Sequence, residues 1–367
     1  MLPRTHPTKP RSLSSASPSS WPWMLPLSCA LVLLLLVSLS GNTFLLTRLD
    51  ATFCASRLGP IEATERTLPL GHNKVALHYR LKNVDVMKNA SHAEDSVLVL
   101  VVNNNKESWG RNRTVDDYIA LIRAFDYPSS KLSLGFLTSS IEEYDLLKSL
   151  FHRLLLTSFS QVTITFRDDL ALHFESRNAR KADAVQRARR SMLARYRNYA
   201  LAQSLEPWHE HVVWIDSDIV AIPPPLVGKM VAAKKDILQP LCHLVGMTQD
   251  YDLNAWQGNR KVPTPAELEL IHAGKLLWVP DIGPGGLHMN DMRAQEYHPL
   301  DSVGGTMLYV RADVHRQGVL FATHYLIGSE WQHEGYDGIE TEGLCYVAGM
   351  LGYKCWSMPQ DIIYHID

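Results

Sequence analysis

From residue 97 onward, short apolar runs alternate with stretches in which apolar residues recur every three or four positions. Residues 97–102 are apolar throughout, which predicts a strand buried on both faces. Residues 115–122 have helical spacing, 131–137 read as a strand, 141–156 as an amphipathic helix and 162–166 as another strand. A long helix is expected over 181–205. The run 211–215 opens on His211 and is otherwise apolar, a further core strand. Strands that alternate with helices indicate an α/β fold, a mainly parallel central sheet with helices on both faces.

The second half is less regular. It predicts a short helix over 263–270 with Pro265 near its start, and a Gly/Pro loop at 281–286. A strand over 303–310 is led by Gly304-Gly305, a helix over 341–351 ends at Gly352, and two short strands, 353–357 and 362–365, close the chain. Residues 48–95 are polar and mixed, without sustained periodicity, and read as a stem. Residues 1–20 are rich in Pro and Ser, carry Arg4, Lys9 and Arg11 and no acid, and predict a disordered tail. Between them, 24–37 is nearly all apolar and 38–46 extends it more weakly. A bilayer needs about 20 apolar residues. The segment reaches that length only by counting Ser38, Ser40, Gly41, Asn42 and Thr43, so a signal-anchor over 21–47 and a cleaved signal peptide both fit. The basic flank comes first, which for an uncleaved segment puts the tail in the cytosol and residues 48–367 in the lumen. The expected layout is tail 1–20, anchor 21–47, stem 48–95 and one large domain, 96–367.

The chain has 367 residues, a formal charge of -2 and 46% hydrophobic residues, values of a globular protein. Near-neutral charge argues against a bulk electrostatic nucleic-acid binder. Asn89-Ala90-Ser91 and Asn112-Arg113-Thr114 are glycosylation sequons, in agreement with lumenal exposure. None of Cys29, Cys54, Cys242, Cys345 and Cys355 forms a Cys-x-x-Cys pair, which argues against a zinc ribbon. Cys345 and Cys355 suit either a disulfide or two buried thiols.

The chemistry concentrates where the strand 211–215 runs into Asp216-Ser217-Asp218. In open α/β sheets ligands bind beyond the carboxyl ends of the strands. Two hard oxygen ligands there suit Mg²⁺ or Mn²⁺, and the ion could hold a diphosphate. The prolines of Ile222-Pro223-Pro224-Pro225 keep the segment near the carboxylates in a loop. A second copy, Asp250-Tyr251-Asp252, reads equally as a turn. His365 ends the last expected strand, either as a metal ligand near Asp218 or as a structural histidine. The helix before 211–215 is rich in arginine, mostly a solvated face, with Arg195, Arg197 and Asn198 nearest the strand. Glu340 and Glu342 stand at a predicted helix start, where the dipole alone would account for acids. His209-Glu210-His211 lacks the spacing of a helical zinc motif and reads as a loop.

Together these segments resemble the fungal Golgi α-mannosyltransferases of the mannan polymerase family. The resemblance runs in order through Ser133-Leu134-Gly135-Phe136-Leu137, Arg195-Tyr196-Arg197-Asn198-Tyr199, Val213-Trp214-Ile215-Asp216-Ser217-Asp218 and Tyr251-Asp252-Leu253-Asn254-Ala255-Trp256. It continues through Val303-Gly304-Gly305-Thr306, Glu340-Thr341-Glu342-Gly343 and Tyr364-His365-Ile366, covering roughly 97–367. It implies a Rossmann-like GT-A fold and a type II Golgi membrane protein whose lumenal domain is a retaining glycosyltransferase. The implied donor is GDP-mannose, the cofactor Mn²⁺, and the acceptor an α-mannoside of N-glycan outer chains or cell-wall mannan. Metal binding then falls to Asp216, Asp218 and His365, donor contact to Arg197, Asn198, Asp216, Gly304 and Gly305, and the reacting region to Asp252, Glu340 and Glu342. Family members act in hetero-complexes, so a non-catalytic scaffold or acceptor-binding subunit is the alternative expectation. Asn103-Asn104-Asn105 and the loop 281–286 depart from the family pattern.

Overall fold

The computed structural model of the protein describes residues 61–152, 159–172 and 182–366. The expected tail and anchor lie outside them, as do 153–156 of the helix expected over 141–156. Among the described residues no helix is long and apolar enough to cross a membrane.

The strands are β1 (Ile61–Gly71), β2 (Lys74–Asn83), β3 (Val97–Asn103), β4 (Leu132–Thr138), β5 (Gln161–Phe166), β6 (His211–Ile215) and β7 (Ile219–Ala221). They continue with β8 (Ile237–Leu244), β9 (Trp256–Gln257), β10 (Leu287–His288), β11 (His298–Leu300), β12 (Met307–Arg311) and β13 (Cys355–His365). Eleven form one sheet in the order β1-β2-β5-β4-β3-β6-β12-β8-β13-β11, with β7 on β13; β9 and β10 pair separately. The central block β5-β4-β3-β6 is parallel throughout. Antiparallel pairs flank it, β2 on β5 at one side and β12 on β6 at the other.

The block is parallel because helices cover both faces. Val97, Val99, Val101, Val213 and Ile215 face one core with Tyr118 and Ile122 of the Val115–Arg123 helix and Leu147 of the Ile141–Leu150 helix. The intervening Leu98, Leu100, Val212 and Trp214 face a second core with Ala194, Ala200 and Leu201 of the Asp183–Ser204 helix. Successive strand residues point to opposite faces, so a strand covered on both sides is apolar without alternation. Each such side chain contributes about 1.5–3 kcal/mol when fully buried.

Three differences from the expected elements have local causes. Residues 61–83, read as part of a stem, form the β1–β2 hairpin, with positive φ at Gly71, His72 and Asn73 in its turn. β1 is an edge strand with mostly exposed side chains, so it carries no apolar alternation. The strand expected from 303 begins at Met307, because Val303–Thr306 is a turn occupied by the site. The two closing strands are one, β13, which bulges between Met358 and Ile362 against β8. Cys345 and Cys355 form a disulfide, and Cys242 is a buried free thiol. Both sequon asparagines, Asn89 and Asn112, are exposed.

Candidate active site at the carboxyl ends of the strands

β6 ends at Ile215, and the chain turns at once, Ile219 N–H donating to Asp216 O at 3.2 Å. Three neighbours pin the turn. Asp216 N–H donates to Thr306 O at 2.9 Å, and Ile366 N–H donates to Asp218 O at 3.1 Å. The Ser217 hydroxyl donates to Ser108 O at 2.6 Å. The two carboxylates are therefore held by the lead into β12, the end of β13 and the loop after β3.

His365 is buried at the end of β13. Its Nε2 lies 3.0 Å from Asp218 Oδ1, and its ring stacks on Tyr251 with centroids 4.0 Å apart. Asp216 takes a different partner. Arg197, buried in the long helix, donates from Nη2 to Asp216 Oδ1 at 3.0 Å and to Gly305 O at 3.4 Å. Its Nε forms an ion pair with Glu340 Oε1 at 3.0 Å. Its guanidinium carbon lies 5.7 Å from the Trp214 ring and 5.4 Å from the Phe321 ring. One cation thus serves two carboxylates between two aromatic walls, a geometry that Lys would not reproduce. Burial raises the Asp216 carboxyl above the usual range; Arg197 opposes the rise, and the Asp218 and Glu340 carboxylates add to it.

Glu340 has φ 56° and ψ -125°, left-handed backbone that a non-glycine residue adopts only at a cost of order 1–3 kcal/mol. Its N–H donates to Ala322 O at 2.8 Å. That backbone bond and the Arg197 ion pair hold the strained residue. Glu342 is buried behind it, paired with Arg190, and Asp337 pairs with Arg260 at 2.9 Å. Burial pushes the Glu342 carboxyl up to about 7, with Arg190 opposing and Asp337 adding.

The glycine pair has a steric reason. A Cβ on Gly304 would stand 1.9 Å from Asp252 Oδ2, and one on Gly305 would stand 2.6 Å from Arg197 Nη2. Asp252 Oδ2 accepts from Thr306 N–H at 3.1 Å and from the Thr306 hydroxyl at 2.9 Å. Gly304 and Gly305 therefore let a carboxylate and a guanidinium close on the turn, and Asp252 braces it. Asn198 spends both amide atoms on the Phe321 backbone, donating at 2.8 Å and accepting at 3.0 Å, and does not line the cleft at Asp216 and Asp218. Arg195 is exposed.

A solvent-open cleft reaches Arg197, Asp216 and Asp218, and is also lined by Asn103, Ser139 and Arg189, among others. Asn103 at the end of β3 is buried, and neither its amide nitrogen nor its amide oxygen has a hydrogen-bond partner. An orphaned amide in a cleft wall points to a ligand carrying both a donor and an acceptor. The signal for it was the polar end of an otherwise apolar run, Asn103-Asn104-Asn105.

The donor set fits a divalent cation at Asp218 and His365. Their facing atoms are 3.0 Å apart, the distance of an ordinary ion pair and equally that of adjacent octahedral corners with bonds of about 2.1 Å. Imidazole with carboxylate suits Mn²⁺. Asp216 is tied to Arg197, and among the described residues Asp216, Asp218 and His365 do not bring three ligand atoms within 4.8 Å of one another.

A family model described as Anp1 matches residues 75–325. The mannan polymerase complex subunit MNN9 of Candida albicans is 28% identical over 328 residues, 82% of each chain. The subunit mnn9 of Schizosaccharomyces pombe is 28% identical over 65% of this chain and 73% of its own. The mannan polymerase II complex ANP1 subunit of Saccharomyces cerevisiae is 26% identical over 67% of this chain and 51% of its own. Among solved structures, the mannosyltransferase PcManGT from Pyrobaculum calidifontis, in complex with GDP-Man and Mn²⁺, aligns at TM-score 0.41 and 12% identity over 73% of this chain and 56% of that one. A likeness that loose carries no argument.

Proposed function

The chain belongs to the Anp1 family, and on that premise we propose that it is a metal-dependent mannosyltransferase of a mannan polymerase type complex. It transfers mannose from GDP-mannose to an α-mannoside with net retention, on a GT-A catalytic domain. The observation that carries this reading is the Asp218–His365 pair at 3.0 Å, at the carboxyl end of the sheet and beside an open cleft. Mn²⁺ held by Asp218 and His365, with Asp216 beside them, would neutralise the charge developing on the leaving diphosphate. The chain's own residues do the positioning. Arg197 fixes Asp216 and Glu340, Asp252 braces the turn above them, and the Asn103 amide faces the donor.

We place the domain in the Golgi lumen behind a type II anchor. The exposed sequon asparagines and the Cys345–Cys355 disulfide support an oxidising, glycosylating compartment. The names of the relatives support a hetero-complex of related subunits.

The test is to incubate the purified full chain with GDP-mannose, Mn²⁺ and a short α-mannoside, and to read product mass with and without a chelator. Metal-dependent gain of one or more hexoses is expected. A folded chain that binds GDP and yields no product would replace this reading with a non-catalytic subunit. The Arg197 hold on Asp216, which leaves two converging ligands rather than three, favours that second reading.

A further inference from the structure

The opposite end of β6 carries a second ligand set. Asp95, just before β3, and Glu210 and His211, at the entry to β6, bring three ligand atoms within 4.8 Å of one another. Both carboxylates are exposed, whereas His211 is only 9% exposed. Its Nδ1 is 2.7 Å from the Tyr309 hydroxyl, and its ring stacks on Tyr309 at 28°. Its Nε2 is buried and has no hydrogen-bond partner, and it stands 3.8 Å from Asp95 Oδ1.

That arrangement suits a ligand histidine. With Nδ1–H donating to the Tyr309 hydroxyl, the Nε2 lone pair is available toward the carboxylates, and Tyr309 holds the ring in place. Asp95 N–H donates to Glu210 Oε2 at 3.0 Å, which sets that carboxylate, and the Tyr127 hydroxyl bonds to Asp95 O. The nearby cation, Arg311, is already committed to Asp236 and Asp313.

We propose that Asp95, Glu210 and His211 form a divalent transition-metal site, best matched to Zn²⁺, that clasps the start of β3 to the start of β6. Imidazole nitrogen and carboxylate oxygen are both zinc ligands, three of them leave a fourth position for water, and a three-ligand site with a nitrogen discriminates against Ca²⁺ and Mg²⁺. The site is separate from Asp218 and His365, which lie beyond the other end of the same strand, so the proposal stands whether or not the chain transfers mannose.

The test uses the full chain stripped by a chelator, with Zn²⁺, Mn²⁺ or Ca²⁺ added against a chromophoric competitor, and melting temperature as a second readout. Zn²⁺ should bind tightest and raise the melting temperature, equally in the Asp218→Asn variant. Asp95→Asn and Glu210→Gln, which keep shape and remove charge, should each weaken Zn²⁺ at least about tenfold, with His211→Gln showing the same loss. If His211→Gln fails to fold, the two carboxylate variants decide. Zn²⁺ affinity unchanged in both, or lost in Asp218→Asn and kept in them, would overturn the proposal.

Discussion

The two ends of β6 carry the same donor types, two carboxylates and one imidazole, and treat them differently. At the carboxyl end, Asp216 is answered by a buried arginine and Asp218 by a buried histidine, beneath a solvent-open cleft. At the amino end, Asp95 and Glu210 stay exposed, answered by a backbone N–H and by the edge of His211. The difference teaches that donor type does not decide role. The carboxylate wired into a buried Arg–Glu network beside an orphaned amide is the one we propose for a substrate site, and the exposed pair is the one we propose to clasp two strands.

The largest expected break in this comparison is Asp218→Ala. It should reduce transfer by more than the roughly 10–100-fold typical of losing an outer-shell metal partner, with the melting temperature little changed. Normal turnover would remove Asp218 from metal binding. Next, Arg197→Ala leaves Asp216 and Glu340 without their shared cation. Breaking a buried pair costs about 3–5 kcal/mol, and the lower end applies because the Asp216 side chain is 38% exposed. Urea unfolding would measure it, and a loss below about 1 kcal/mol would mean that the network is not a structural unit.

Gly304→Ala forces a Cβ toward Asp252 and should cost about 1–3 kcal/mol by overpacking. An unchanged denaturation midpoint would show that the turn can shift freely. The middle of β6 gives a smaller, pH-dependent effect. Trp214 Nε1–H donates to His315 Nε2 at 3.3 Å, and His315 Nδ1 bonds Val319 O at 2.7 Å, so the imidazole is held neutral. Burial pushes His315 down to about 4. A folded pKa below the unfolded one means stability present above about 6.5 and lost as pH falls toward 4. At pH 5.5 the expected cost is about 1 kcal/mol, readable as a pH slope that His315→Gln flattens. The smallest effect belongs to the amino end without added metal. Glu210→Gln should change stability by less than about 0.5 kcal/mol and leave transfer untouched; a loss of transfer would join the two ends functionally.

Much of this was legible in the residues. β3 and β6 stood out as apolar runs because both their faces are covered, β4 and β5 were read as strands between helices, and the Asp216–Asp218 turn was placed at a strand end by that reading. The family resemblance read from ordered motifs holds in the Anp1 match. β1 was not legible, because an edge strand needs no apolar face, and β9 and β10 are two residues each. Gly304 and Gly305 read as the lead of a strand, and the reason for them, the approach of Asp252 and Arg197, is visible only in space. His209-Glu210-His211 read as a loop because it lacks the spacing of a helical zinc motif, and Asp95, which meets Glu210 and His211 in space, comes from a distant segment.

The sequence by itself determined the parallel block and the positions where carboxylates leave it, since period and burial are properties of contiguous residues. Only the tertiary structure decided that Arg197 serves Asp216 and Glu340 together, that His365 meets Asp218, and that His211 turns its free nitrogen toward Asp95. Charge and hydrogen bonding act through space over a few ångströms. Which of many acids, arginines and histidines are neighbours is therefore set by how the strands and the long helix pack, not by their order along the chain.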